Sequence, residues 1–104
     1  MRVLTIDDWH LMNGVERNKK NPDTFHIPSE EEKDKVVVGQ HVKLGWETDL
    51  ESQLSGERMW VIVTSIDGTN YTGTLDNDPA VVPLDVGAVL KFTRDNIISI
   101  WEGA

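Results

Sequence analysis

The sequence predicts a mainly β protein with a small α contribution: a five-stranded antiparallel barrel over residues 36–104 and a short N-terminal helical segment within residues 1–35, in a single domain 1–104. Three observations predict it. Between Val36 and Trp101, runs that alternate apolar and polar side chains are separated by Gly-, Pro-, Asn- and Asp-bearing breaks. Asp67-Gly68-Thr69-Asn70 is a tight hairpin signal. The length, 104 residues, suits one ordinary domain and is short for two.

At the start of the chain, Val3, Leu4, Ile6, Trp9, Leu11 and Met12 form a short apolar pattern. Thr5 can cap a helix whose first turn holds Asp7 and Asp8, carboxylates that favour the positive end of a helix dipole, and Asn13-Gly14 would end it. Residues 16–23 are polar and contain Asn21-Pro22, a loop signal. Phe25 and Ile27 occupy an extended segment before Pro28, because proline disfavours helix in the residue before it. Ser29-Glu30-Glu31-Glu32 is an N-cap with glutamate at the capping-box position, and Val36-Val37-Val38-Gly39 stops that helix early.

The strands follow. His41–Glu47 sets Val42, Leu44 and Trp46 against His41, Lys43 and Glu47. After a polar loop over 48–57 comes a long strand, Arg58–Ile66, apolar on both faces for most of its length. The Asp-Gly turn leads into Tyr71–Leu75, which Asp76-Asn77-Asp78-Pro79 breaks. A connection over 80–87 leads to Ala88–Thr93, with Leu90 and Phe92 inward; Arg94-Asp95-Asn96 is one turn, and Ile97–Trp101 is the last strand. A long first loop and a single helical turn before a short final strand are the order of an SH3-like barrel. The same strands also fit an open antiparallel sheet covered by the N-terminal helix. Closure would remove exposed sheet edges.

Composition narrows the function classes. The net charge is −8 and the pI about 4.7, which opposes nucleic-acid backbones and anionic membranes. Residues 1–35 hold six basic and eight acidic residues, and residues 36–104 hold four basic and ten acidic, so the barrel is the more acidic part. With no cysteine there is no disulfide framework and no thiolate zinc site. No apolar run nears the roughly 20 residues of a membrane helix, and the N-terminus turns acidic too early for a secretory signal. The expectation is a cytoplasmic protein, monomeric or weakly dimeric, with no cofactor.

Trp60 is the first candidate for a binding site. On its strand Met59, Val61 and Val63 share one face, and Arg58, Trp60, Ile62 and Thr64 share the other. An outward tryptophan joins large apolar area to one N–H donor, which suits a recognition anchor. Trp60, Arg58 and Ile62, with Trp101, form the candidate patch; the competing reading packs Trp60 under the helix of residues 5–12. Trp46 reads as core beside Val42 and Leu44, Trp9 as an anchor of the N-terminal segment, and Trp101 as either a barrel cover or part of the patch. Asp76-Asn77-Asp78 lacks the length, glycine and distal glutamate of a calcium loop, so Asn77 is read as a turn residue bonding its own backbone. His10, His26 and His41 have no metal-ligand spacing, and neither a nucleophile elbow nor a phosphate loop is present. No catalytic residue and no metal ligand is expected.

The stretch Gly56-Glu57-Arg58-Met59-Trp60-Val61, the turn Asp67-Gly68, the run Gly73-Thr74-Leu75-Asp76-Asn77-Asp78-Pro79, then Gly87, Phe92 and Ile97–Trp101, resemble a bacterial domain-of-unknown-function family that includes the YegJ-like proteins. Residues 21–28 and 38–44 share the resemblance, which covers about two thirds of the chain. Its most specific piece, Gly73-x-Leu75-x-Asn77-x-Pro79 followed by Gly87, is structural in character. The resemblance implies a small mostly-β domain without an established activity, and for some relatives a role as immunity proteins. Many relatives end in an Asp-Trp pair where this chain has Ile100-Trp101.

Function is therefore read as a non-catalytic module that binds a protein partner through an aromatic patch around Trp60 and the loop 48–57, of immunity or inhibitor type. The alternative is a small enzyme using carboxylates among Asp76, Asp78, Glu47 and Glu57. Nucleic-acid binding ranks last on charge.

Overall fold

The computed structural model describes residues 9–48, 56–80 and 82–101. Six strands form one antiparallel sheet: β1 (Trp9–Leu11), β2 (His41–Thr48), β3 (Gly56–Asp67), β4 (Asn70–Leu75), β5 (Val89–Thr93) and β6 (Ser99–Ile100). Two short helices, α1 (Gly14–Lys20) and α2 (Glu30–Asp34), and a 3-10 turn over Arg94–Asn96 complete it. The sheet order is β1-β2-β3-β4-β5, and β6 also pairs with β2. One edge of β2 is thereby shared: β1 takes Trp46, Glu47 and Thr48, β6 takes Val42 and Lys43, and Met12 N donates to Gly45 O at 2.7 Å between them. Because β5 leads through the 3-10 turn back to β2, the sheet curls into a half-barrel. No described helix is long and apolar enough to cross a membrane.

The four longer strands lie where alternation put them, with ends displaced by at most two residues. The last is shorter than expected, pairing only over Ser99–Ile100. Gly68 carries the positive φ of +61° at the first central position of the hairpin, a conformation only glycine adopts cheaply. The concave face buries Val42, Leu44 and Trp46 from β2, Met59, Val61 and Val63 from β3, Tyr71 and Leu75 from β4, and Phe92 from β5, joined by Trp9, Val36, Val82 and Ile97. The period-2 pattern is the cause: each inward side chain leaves water while its neighbours stay out. Trp46 and Trp9 are core, as read from sequence.

The N-terminal segment differs from expectation. Residues 5–8 of the expected helix lie outside the described residues, but Trp9–Leu11 is a strand, and its side chains run buried, exposed, half-buried. Open N–H and C=O groups on the edge of β2 give this segment partners, and that pairing overrides weak helix propensity. Asn13 starts a helix instead of ending one: its Oδ1 accepts from Glu16 N at 3.0 Å, with Glu16 in the first turn and Arg17, Lys19 and Lys20 in the last. The stretch read as a loop from residue 16 therefore begins as α1, favoured by its charge order along the helix dipole. The capping box is present as expected: Glu32 N donates to Ser29 Oγ at 3.1 Å and Ser29 N to Glu32 Oε1 at 3.0 Å. Arg94 then ties the 3-10 turn to α2 through Glu30 and Asp34.

Candidate functional site

The convex face of the half-barrel is divided. At one end Met12, Phe25 and Ile98, with Ile27, form a second apolar cluster over the sheet. Gly45 makes room for it, since a Cβ there would lie 3.1 Å from Met12 Cε. The Phe25 ring has the Arg17 guanidinium 5.8 Å from its centroid and the Arg58 guanidinium 5.2 Å away. Arg58, itself exposed, thus stands against Phe25, and the described contacts do not join it to Trp60 or Trp101.

Trp60 is half-buried; residues 5–8 of the helix read as covering it lie outside the described residues, and its described ring neighbours are Lys43 and Trp101. Its backbone faces β4, where Trp60 N donates to Asn77 Oδ1 at 2.6 Å and Trp60 O accepts from Asp76 N at 3.0 Å. Regular pairing of β3 with β4 ends at Leu75, so Asn77 supplies the acceptor the next strand residue would have offered. The side chain of Asn77 therefore holds Trp60 instead of its own turn, a correction to the sequence reading. Toward β2, Trp60 stands opposite Lys43 in a non-hydrogen-bonded pair, the closer type of cross-strand approach. Lys43 Nζ lies 4.6 Å from the Trp60 ring centroid, a cation–π contact.

β6 delivers the second tryptophan. Trp101 N donates to His41 O at 3.0 Å, which extends the β6–β2 pairing and turns the Trp101 side chain to the convex face. Its ring meets Trp60 edge to face, with centroids 5.7 Å apart and planes at 83°, while remaining 55% exposed. His41 Nε2 lies 2.7 Å from Asp76 Oδ2. These four side chains line an open groove of about 310 Å³. Cross-strand register carries the surface onward from Trp101 and His41 through Ile62 and Thr74 to Val89, itself 71% exposed.

The structure therefore brings Trp60 and Trp101 together, sets Ile62 beside them, and leaves Arg58 out. Sequence reasoning placed none of His41, Lys43, Asp76 and Asn77 in the patch; Asp76 entered only as a carboxylate of the enzyme alternative and Asn77 only as a turn residue. The expected bounds 41–47 and 58–66, paired from Glu47 with Arg58, set His41 and Lys43 opposite Thr64 and Ile62; the observed pairing starts two residues earlier, at Gly56, and sets them opposite Ile62 and Trp60. Loop residues 49–55 lie outside the described residues. Three of the four carboxylates considered for catalysis, Glu47, Glu57 and Asp76, have separate structural partners, and Asp78 is exposed. Glu57 accepts from Ala80 N at 2.6 Å and Val82 N at 2.9 Å, Glu47 pairs with Arg17 and lies 3.6 Å from His10, and Asp76 pairs with His41. Among the described residues no three His, Asp or Glu side chains group as a metal site.

No protein-family model, no curated protein and no solved structure matches this chain.

Proposed function

We propose that this protein is a non-catalytic binding module that docks a protein partner on the convex face of an SH3-like half-barrel, with Trp60 and Trp101 as anchors. One observation carries the reading: two tryptophans in edge-to-face contact, one of them 55% exposed, lining one groove with His41 and Asp76. Solvent-facing indoles supply interface energy at small conformational cost, and binding energy concentrates on such residues. The SH3-like assignment is supported by the 3-10 turn before a short last strand that returns to the first long one.

The net charge of −8 favours a basic partner and speeds encounter with it. An immunity-type inhibitor of a basic enzyme fits that charge and the resemblance carried by Gly73-Thr74-Leu75-Asp76-Asn77-Asp78-Pro79. The test is affinity capture with the parent and Trp101→Ala proteins, followed by calorimetry on the purified partner at two salt concentrations. A basic partner held by the parent, lost with the folded variant and weakened by salt is the expected result. Equal capture by both proteins refutes the docking face, and salt-independent binding refutes its electrostatic part.

A further inference from the structure

Resting on that reading, we infer that the Trp60–Trp101 groove receives an arginine side chain of the basic partner, its guanidinium stacked on the exposed Trp101 indole and its N–H fork on Asp76. The groove joins the three components such a side chain needs. Two indoles at 83° provide an apolar wall for the aliphatic stem and an electron-rich face for the cation. Asp76 supplies a carboxylate at the rim, 49% exposed, and its 2.7 Å contact with His41 Nε2 fixes its position while using one oxygen. A carboxylate has about four lone-pair sites, so both oxygens keep acceptor capacity for a two-pronged guanidinium. The charge of the whole chain, −8, has the sign that draws a cation in.

Lys43 shows that this site already stabilises a cation, with its ammonium 4.6 Å from the Trp60 centroid. It takes the Trp60 indole, so Trp101, the more exposed ring, is left for the incoming group. Arginine fits better than lysine. Its planar guanidinium stacks on an indole and reaches a carboxylate with two parallel N–H donors, whereas an ammonium is compact and strongly hydrated. Indole is the strongest aromatic partner for either.

The test uses the whole chain and three capped tripeptides, Gly-Arg-Gly, Gly-Lys-Gly and Gly-citrulline-Gly, titrated while the indole N–H resonances are followed by NMR. Citrulline keeps the shape of arginine and removes the charge. The arginine peptide is expected to shift the Trp60 and Trp101 indoles with affinity on the order of millimolar. The citrulline peptide should bind roughly fivefold to tenfold more weakly, and Trp101→Ala and Asp76→Asn should each weaken the arginine peptide by a similar factor. Lys43→Met, which removes a neighbouring positive charge, should tighten it. Equal binding of arginine and citrulline, equal binding of arginine and lysine, or shifts that survive Trp101→Ala would overturn the proposal. The peptide series decides the guanidinium and the capture comparison decides the docking face, so the two readings fail separately.

Discussion

Replacing Gly73 by alanine tests how closely β4 approaches β3. A Cβ on Gly73 would lie 2.5 Å from Val61 Cγ1, 2.6 Å from the Ile62 carbonyl oxygen and 3.3 Å from Phe92 Cε1. Ordinary contact begins near 3.4 Å, so the first two approaches are too short by about 0.9 and 0.8 Å. The Val61 methyl could move, but the Ile62 oxygen is backbone within the sheet and can yield only if β3 and β4 separate. Overpacking of this kind costs about 1–3 kcal/mol, and the stiffer unfolded chain returns about 0.4–1 kcal/mol. The expected net loss is about 1–2 kcal/mol, a fall in Tm of roughly 5–15 °C for a domain of this size. Thermal and urea unfolding followed by circular dichroism measure it. In a Val61→Ala background one of the two clashes disappears, so the Gly73→Ala penalty should shrink by about 0.5–1 kcal/mol without vanishing. A Gly73→Ala protein within about 0.5 kcal/mol of the parent would refute the close-approach account.

Asn77→Ala should cost about 1–2 kcal/mol by leaving the Trp60 N–H without its acceptor, and should speed hydrogen exchange at that amide; Asn77→Asp, which keeps the oxygen, should restore most of the protection. Trp101→Ala removes a half-exposed ring whose aromatic contact is worth at most about 1.5 kcal/mol, so the variant should stay folded, as a retained cooperative melt would show. Acid should weaken the attachment of α2. The Lys33 ammonium, 3.1 Å from Glu30 Oε2, and after it the Arg94 guanidinium hold the Glu30 carboxyl below its usual value of 4.5, and the Ser29 N–H does the same for Glu32. A carboxyl depressed on folding contributes stability that is complete above the unfolded value and is lost as pH falls through the folded one. Urea midpoints measured from pH 7 to 3 should therefore drop below about pH 4.5, less steeply for Glu30→Gln; identical profiles for parent and variant would exclude Glu30 as a source.

The strands were legible because burial on one face imposes a period of two, and Val42, Leu44, Trp46, Met59, Val61 and Val63 obey it without exception. The capping box at Ser29 and the Asp67-Gly68 turn were legible for a local reason: their chemistry is complete within four residues. The N-terminal segment was misread because Trp9–Leu11 takes its conformation from β2, more than thirty residues away, and because Asn-Gly serves either end of a helix until its partner N–H is known. The site was half legible. Trp60 showed as an outward residue on an apolar strand, but Arg58 was lost to Phe25 through a contact that no strand periodicity encodes. Asp76 and Asn77 looked like turn residues, and only the end of β4 pairing at Leu75 turns one toward His41 and the other toward Trp60.

The shared edge of β2 bears on how the chain reaches this state. Its two fillers come from opposite ends of the described sequence, and Asn96 Nδ2 joins them by donating to Met12 O at 3.1 Å across 84 positions. Contacts of such separation form only after a large loop has closed, so folding should proceed in milliseconds to seconds, not the microseconds open to helical bundles. Until β1 and β6 both arrive, β2 presents half of a hydrogen-bonding edge, and the same edge on a second chain is the nearest substitute. Crowded refolding should therefore yield strand-exchanged dimers that dilute refolding does not.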